Sequence, residues 1–96
     1  MLIAILKYTK PLNEIDALIS KHREYLQMLL TQNKLLVSGK LQPRTGGVII
    51  AKNSTRAEFE KILEEDPFAT VSEYQIIEFL PSLYDVCLKE IMEADK

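Results

Sequence analysis

The chain opens with a short apolar run, Leu2 to Tyr8, that stops at Thr9-Lys10-Pro11 and reads as a buried strand. Asn13 is placed to cap a helix, with Asp16 three residues on favouring its N-terminal dipole. Ile15, Leu18, Ile19, Leu26, Leu29 and Leu30 then recur at helical spacing, so a long amphipathic helix runs to about Gln32. Lys34 to Leu41 mixes β-forming residues with Gly39, which marks a bulge or a close backbone approach, and makes a second strand. Gln42 to Gly46 carries turn residues, and Gly47 to Ala51 is a β-branched run that pairs with the second strand as a hairpin. Asn53-Ser54-Thr55 offers N-caps for a shorter helix with Ala57, Phe59, Ile62 and Leu63 on its buried side. Pro67 disfavours helical geometry at Asp66 and ends it there. Tyr74 to Leu80 is a fourth strand. Pro81-Ser82, with Asp85 completing a capping-box-like pattern, starts a final helix whose apolar stripe is Tyr84, Cys87, Leu88 and Ile91.

The order is βαββαβ plus a C-terminal helix. Right-handed crossovers fold it into an α+β, ferredoxin-like domain: a four-stranded antiparallel sheet with both main helices on one face. The other face needs a cover. In the first strand Leu2, Ala4 and Leu6 alternate with Ile3 and Ile5, and in the third Val48 and Ile50 alternate with Ile49 and Ala51, so both faces are apolar. Each such side chain is worth ~1.5–3 kcal/mol when buried, too much for a small domain to leave wet. Either a second copy packs sheet to sheet about a two-fold axis, or the chain's own C-terminal helix lies across the face.

Composition narrows the classes. Apolar residues make up 47% and charged residues 27% of 96 positions, which is ordinary for one globular domain. Twelve basic against fourteen acidic residues give a net charge of −2, too little positive field for a polyanion, so nucleic acid is not expected as a partner. An RNA-binding sheet of this topology would also stack bases on aromatic residues of the third strand, and GGVIIAK has none. Cys87 is the sole cysteine, which excludes an internal disulfide and suits a cytoplasmic setting. The N-terminus lacks the layout of a secretory signal, and no apolar run reaches the ~18–20 residues that cross a bilayer, so no membrane partner is expected. One histidine and one cysteine do not make the usual zinc ligand sets. Gly46-Gly47 precedes a strand, with no dinucleotide or phosphate-loop pattern after it, and no cofactor or metal is expected.

His22, the only histidine, falls on the apolar side of the first helix, seven residues after Ile15 and four before Leu26. It is either a core histidine satisfied by a hydrogen bond or a functional group at the rim of the stripe. Asp66 ends the second helix after Glu64 and Glu65, where negative charge opposes the helix dipole by ~0.3–1 kcal/mol and calls for a nearby cation. The two helices of a βαββαβ unit lie side by side, which brings these residues toward each other.

His22-Arg23-Glu24-Tyr25-Leu26, Leu36-Val37-Ser38-Gly39, Gly46-Gly47-Val48-Ile49-Ile50 and Asp66-Pro67-Phe68, in this order and at these separations, resemble the YCII-related domains of the dimeric α/β-barrel group. The resemblance covers residues 1–80; residues 81–96 form a helical extension of the same domain. It implies a dimer and a His22–Asp66 active-site dyad. Two departures stand out: Ala69-Thr70-Val71-Ser72 lacks a glycine common in relatives, and the final helix runs past their usual end. A carboxylate beside an imidazole fixes its tautomer and favours proton acceptance near neutral pH. The expected function is therefore cofactor-independent acid/base chemistry, such as isomerisation or elimination, on a small organic molecule, with Tyr8, Ser38, Arg44 and Tyr74 as candidate substrate contacts. The alternative is a non-catalytic ligand-binding or oligomer-forming module on the same scaffold. The expected partners are a second copy of the chain and a small-molecule ligand.

Overall fold

A computed structural model describes residues 1–94. The elements are β1 (Leu2–Tyr8), α1 (Leu12–Thr31), β2 (Leu35–Lys40), β3 (Gly46–Ala51), α2 (Arg56–Glu65), a 3-10 turn at Pro67–Thr70, β4 (Ser72–Glu78), a second 3-10 turn at Val86–Leu88, and α3 (Lys89–Ala94). The sheet is antiparallel in the order β2-β3-β1-β4, so the first and third strands lie at its centre as the βαββαβ pattern requires.

Alternation along β1 sorts the two faces. Leu2, Ala4 and Leu6 point toward the helices and form the core with Ile15, Leu26 and Leu29 of α1 and Phe59 and Leu63 of α2. Ile3 and Ile5 point the other way. They stand in register with Ile50 and Val48 of β3, and Ile3 also with Ile77 of β4. Neither α1 nor α2 covers this second face, and Val37 and Ile77 are exposed on it.

Local chemistry departs from the pattern at several points. Pro11, not Asn13, is the N-cap of α1; its carbonyl accepts the first helical bonds from Glu14 and Ile15, which puts Asn13 inside the first turn. Of the three cap candidates before α2, Thr55 is used, its hydroxyl accepting from the Glu58 amide at 3.2 Å. The irregularity in β2 falls between Leu35 and Val37, not at Gly39, around which there is open space. Gly46 belongs to β3 and not to the turn. A Cβ there would sit 1.7 Å from the Leu6 carbonyl oxygen, so only glycine lets β3 approach β1 at that point. α1 ends in a Schellman motif: Asn33 adopts φ 62°, its amide donates to Leu30 and that of Lys34 to Leu29.

The largest correction concerns the C-terminus. The fourth strand begins at Ser72 and ends at Glu78, and no helix starts at Pro81-Ser82. Asp85 instead caps the second 3-10 turn, accepting from the Cys87 amide at 2.9 Å, and α3 spans only the last turn and a half. Cys87 is exposed rather than packed, whereas Met92 of α3 is buried.

Candidate active site

Pro67 holds Asp66 in an extended conformation, φ −65° and ψ 133°, which stops α2 and turns the carboxylate back on the chain. Oδ1 of Asp66 accepts from the Phe68 amide at 2.9 Å and so caps the 3-10 turn that leads into β4. The same oxygen lies 2.7 Å from Nδ1 of His22. An ionised carboxylate only accepts, so Nδ1 carries the proton and donates. Nε2 has no hydrogen-bond partner among the described residues. Oδ2 of Asp66 is buried and accepts no hydrogen bond among them either.

The imidazole is fixed from a second side. Its ring stacks on Phe68 with centroids 3.7 Å apart and planes 4° from parallel, and Phe68 meets Tyr8 edge-on at 6.0 Å. One turn further along α1, the Tyr25 hydroxyl donates to the Ile62 carbonyl at 2.7 Å and ties α1 to α2 just before the turn that carries Asp66. Burial first, then the charges of Glu65 and Asp66, push the Tyr25 hydroxyl up to about 12. Asp66 is almost sealed, with 2% of its side chain exposed, whereas His22 keeps 13%.

That remaining exposure opens into a cleft of about 470 Å³ between α1 and the β2–β3 edge. Leu6, Ile19 and Leu26 supply apolar wall; Gly39, Gly47 and Val48 border it along the β2–β3 pair. A Cβ on Gly47 would come within 2.9 Å of the Gly39 carbonyl oxygen. Tyr8, Ser38 and Arg44 line this cleft with His22. Tyr74 does not: it packs against the core from β4, where burial, then Glu64 and Asp66, raise its hydroxyl above the ordinary range.

Charged lining residues not singled out by pattern are Asp16, Arg23 and Lys40. Arg44, from the β2–β3 turn, donates to Asp16 on α1, and that hydrogen bond is the main reason its guanidinium holds its proton more firmly than usual. Arg23 and Lys40 make no ion pair among the described residues. Lys40 carried a signal, since it stands two residues after Ser38 in the same strand and therefore on the same face. The Asp16–Arg44 pair, 28 residues apart, carried none. No group of three or more His, Cys, Asp or Glu side chains converges among the described residues.

No curated protein matches the chain significantly. Among solved structures it is similar to 5-chloro-2-hydroxyhydroquinone dehydrochlorinase from Burkholderia phenoliruptrix AC1100, determined in complex with 2,5-dihydroxybenzoquinone. The TM-score is 0.68 at 22% identity, covering 82% of this chain and 93% of that one. At that identity the likeness is one of fold, and it places the α+β architecture in the dimeric α/β-barrel group. The profile of the YCII-related domain matches residues 1–80, so the chain belongs to the YCII-related domain family.

Proposed function

We propose that the protein is a small enzyme that moves a proton on an organic substrate bound in the cleft, with His22 as the acid/base group and Asp66 as the residue that orients it. The carrying observation is the unpartnered Nε2 of an imidazole whose other nitrogen is held at 2.7 Å by a nearly buried carboxylate and whose ring borders the cleft.

The chemistry follows from the tautomer. Nε2 takes a proton from an acidified C–H or O–H, and the resulting imidazolium is stabilised by Asp66. The proton then returns to a different atom in an isomerisation, or passes to solvent as a leaving group departs in an elimination. Three cations, Arg23, Lys40 and Arg44, face one anion, Asp16, around the cleft, and its walls are apolar. This favours a small, partly apolar molecule that is anionic or becomes so when deprotonated. The neighbouring dehydrochlorinase, bound to an acidic quinone, performs chemistry of that class.

The test uses 2,5-dihydroxybenzoquinone in deuterated water, following loss of its ring C–H signal by NMR. The protein is expected to accelerate exchange, and His22→Gln to remove ~10²–10⁴-fold of that acceleration with the fold intact by circular dichroism. Exchange that His22→Gln leaves unchanged would refute the catalytic role. Binding without exchange would favour the ligand-binding alternative.

The open face of the sheet is read, in addition, as a surface that pairs two protomers. Exposed Val37 and Ile77 beside Ile3, Ile5, Val48 and Ile50 support this. The free, exposed thiol of Cys87 fits a reducing, cytoplasmic setting.

A further inference from the structure

Among the described residues the most exposed large apolar side chains lie at or beyond the end of the family match: Leu83 is 95% exposed, Val86 80%, and Leu80 at the boundary 88%. Singly exposed apolar residues are common, but three within seven positions form a patch that a monomer rarely leaves in water. The segment leaves the sheet where the Phe79 amide donates to the Met1 carbonyl, and it then runs without regular structure to the 3-10 turn at Val86. Past that turn Met92 of α3 is buried, so the exposed apolar stretch runs from Leu80 to Val86, and the molecule extends to 40 Å along one axis against 25 and 23 Å along the others.

We infer that residues 80–86 are an arm that docks on a second copy of this chain, continuous with the pairing of open sheet faces. The inference rests on that pairing. Area decides the occupant. Four strands ~4.8 Å apart and about six residues long at ~3.3 Å per residue cover roughly 400 Å². Two such faces bury roughly 800 Å² together, short of the ~1,200–2,000 Å² of specific, stable interfaces. An arm from Leu80 to Val86 reaches roughly 20 Å and covers about 200 Å², so two arms and their seats add roughly 800 Å² and bring the total near the usual size. The position of the arm agrees. By strand alternation Ile77 and Phe79 project on the open side, so the apolar strip of that face runs directly into Leu80 and Leu83.

Sedimentation equilibrium of the full chain tests this against Leu83→Asp, Val86→Asp and Val37→Asp, the last on the sheet face. Leu83 and Val86 are solvent-exposed in the protomer, so their replacement leaves its core untouched. A dimer is expected, with its dissociation constant raised at least tenfold by each arm substitution and circular dichroism unchanged. A benzophenone–maleimide probe on Cys87 should cross-link one protomer to its partner. A wild-type dimer weakened by Val37→Asp but not by the arm substitutions leaves the sheet pairing standing and overturns the arm. Cross-links confined to one chain overturn it too, and a monomeric wild type overturns both.

Discussion

At the scale of single residues the site is a set of groups that each do more than one thing. Asp66 terminates α2, caps the following turn and holds His22, while Phe68 lends its amide to Asp66 and its ring to the imidazole. Tyr25 is the residue whose own titration reports on this packing. Its neutral form is favoured in the folded protein, so the associated stability is present below the unfolded tyrosine value of ~10 and is lost as pH rises through about 12. An alkaline titration followed by tyrosinate absorbance should show a late component near that value, and Tyr25→Phe should remove it. The same substitution should cost about 1 kcal/mol in urea unfolding at neutral pH by deleting the bond to the Ile62 carbonyl. A full set of tyrosines titrating early would contradict the burial. His22 and Asp66 were legible because helical period and a proline stop are local signals. The Arg44–Asp16 pair was not, because its two halves meet only through the tertiary fold.

At the scale of elements, the four strands and two helices follow from hydrophobic period and turn residues, and the errors cluster where periodicity is silent. Alternation and turn chemistry place Gly46 equally well at the end of a turn or the start of a strand; only the approach of β1 decides, and that contact is non-local. Gly46→Ala forces a methyl into the Leu6 carbonyl, which is backbone and cannot swing aside. The expected loss is ~1–3 kcal/mol or more, measured by thermal or urea unfolding. An unaffected midpoint would mean that the central pair of strands is not so close. The final helix starts later than the pattern suggests because a proline and an aspartate at the right spacing resemble a capping box, while Asp85 in fact caps a 3-10 turn. Exposed Leu83 and Val86 precede α3 and form no helical stripe.

At the scale of the whole molecule, a domain whose core lies between helices and one sheet face leaves the other face uncovered by α1 and α2 and the stretch from Leu80 to Val86 exposed, and no pattern within one chain specifies what covers them. A single layer of β-sheet separates the cleft from that open face, and Val48 belongs to both sides: it lines the cleft and stands in register with outward-facing Ile5. With a ligand in the cleft and protomers paired through the open face, as proposed, linkage ties the two surfaces together. A ligand that alters the protomer association constant by some factor is bound more or less tightly by the same factor when protomers associate. Affinity taken at one protein concentration then averages two populations, and titrating the same ligand across a dilution series resolves them into two constants whose ratio measures the communication across the sheet.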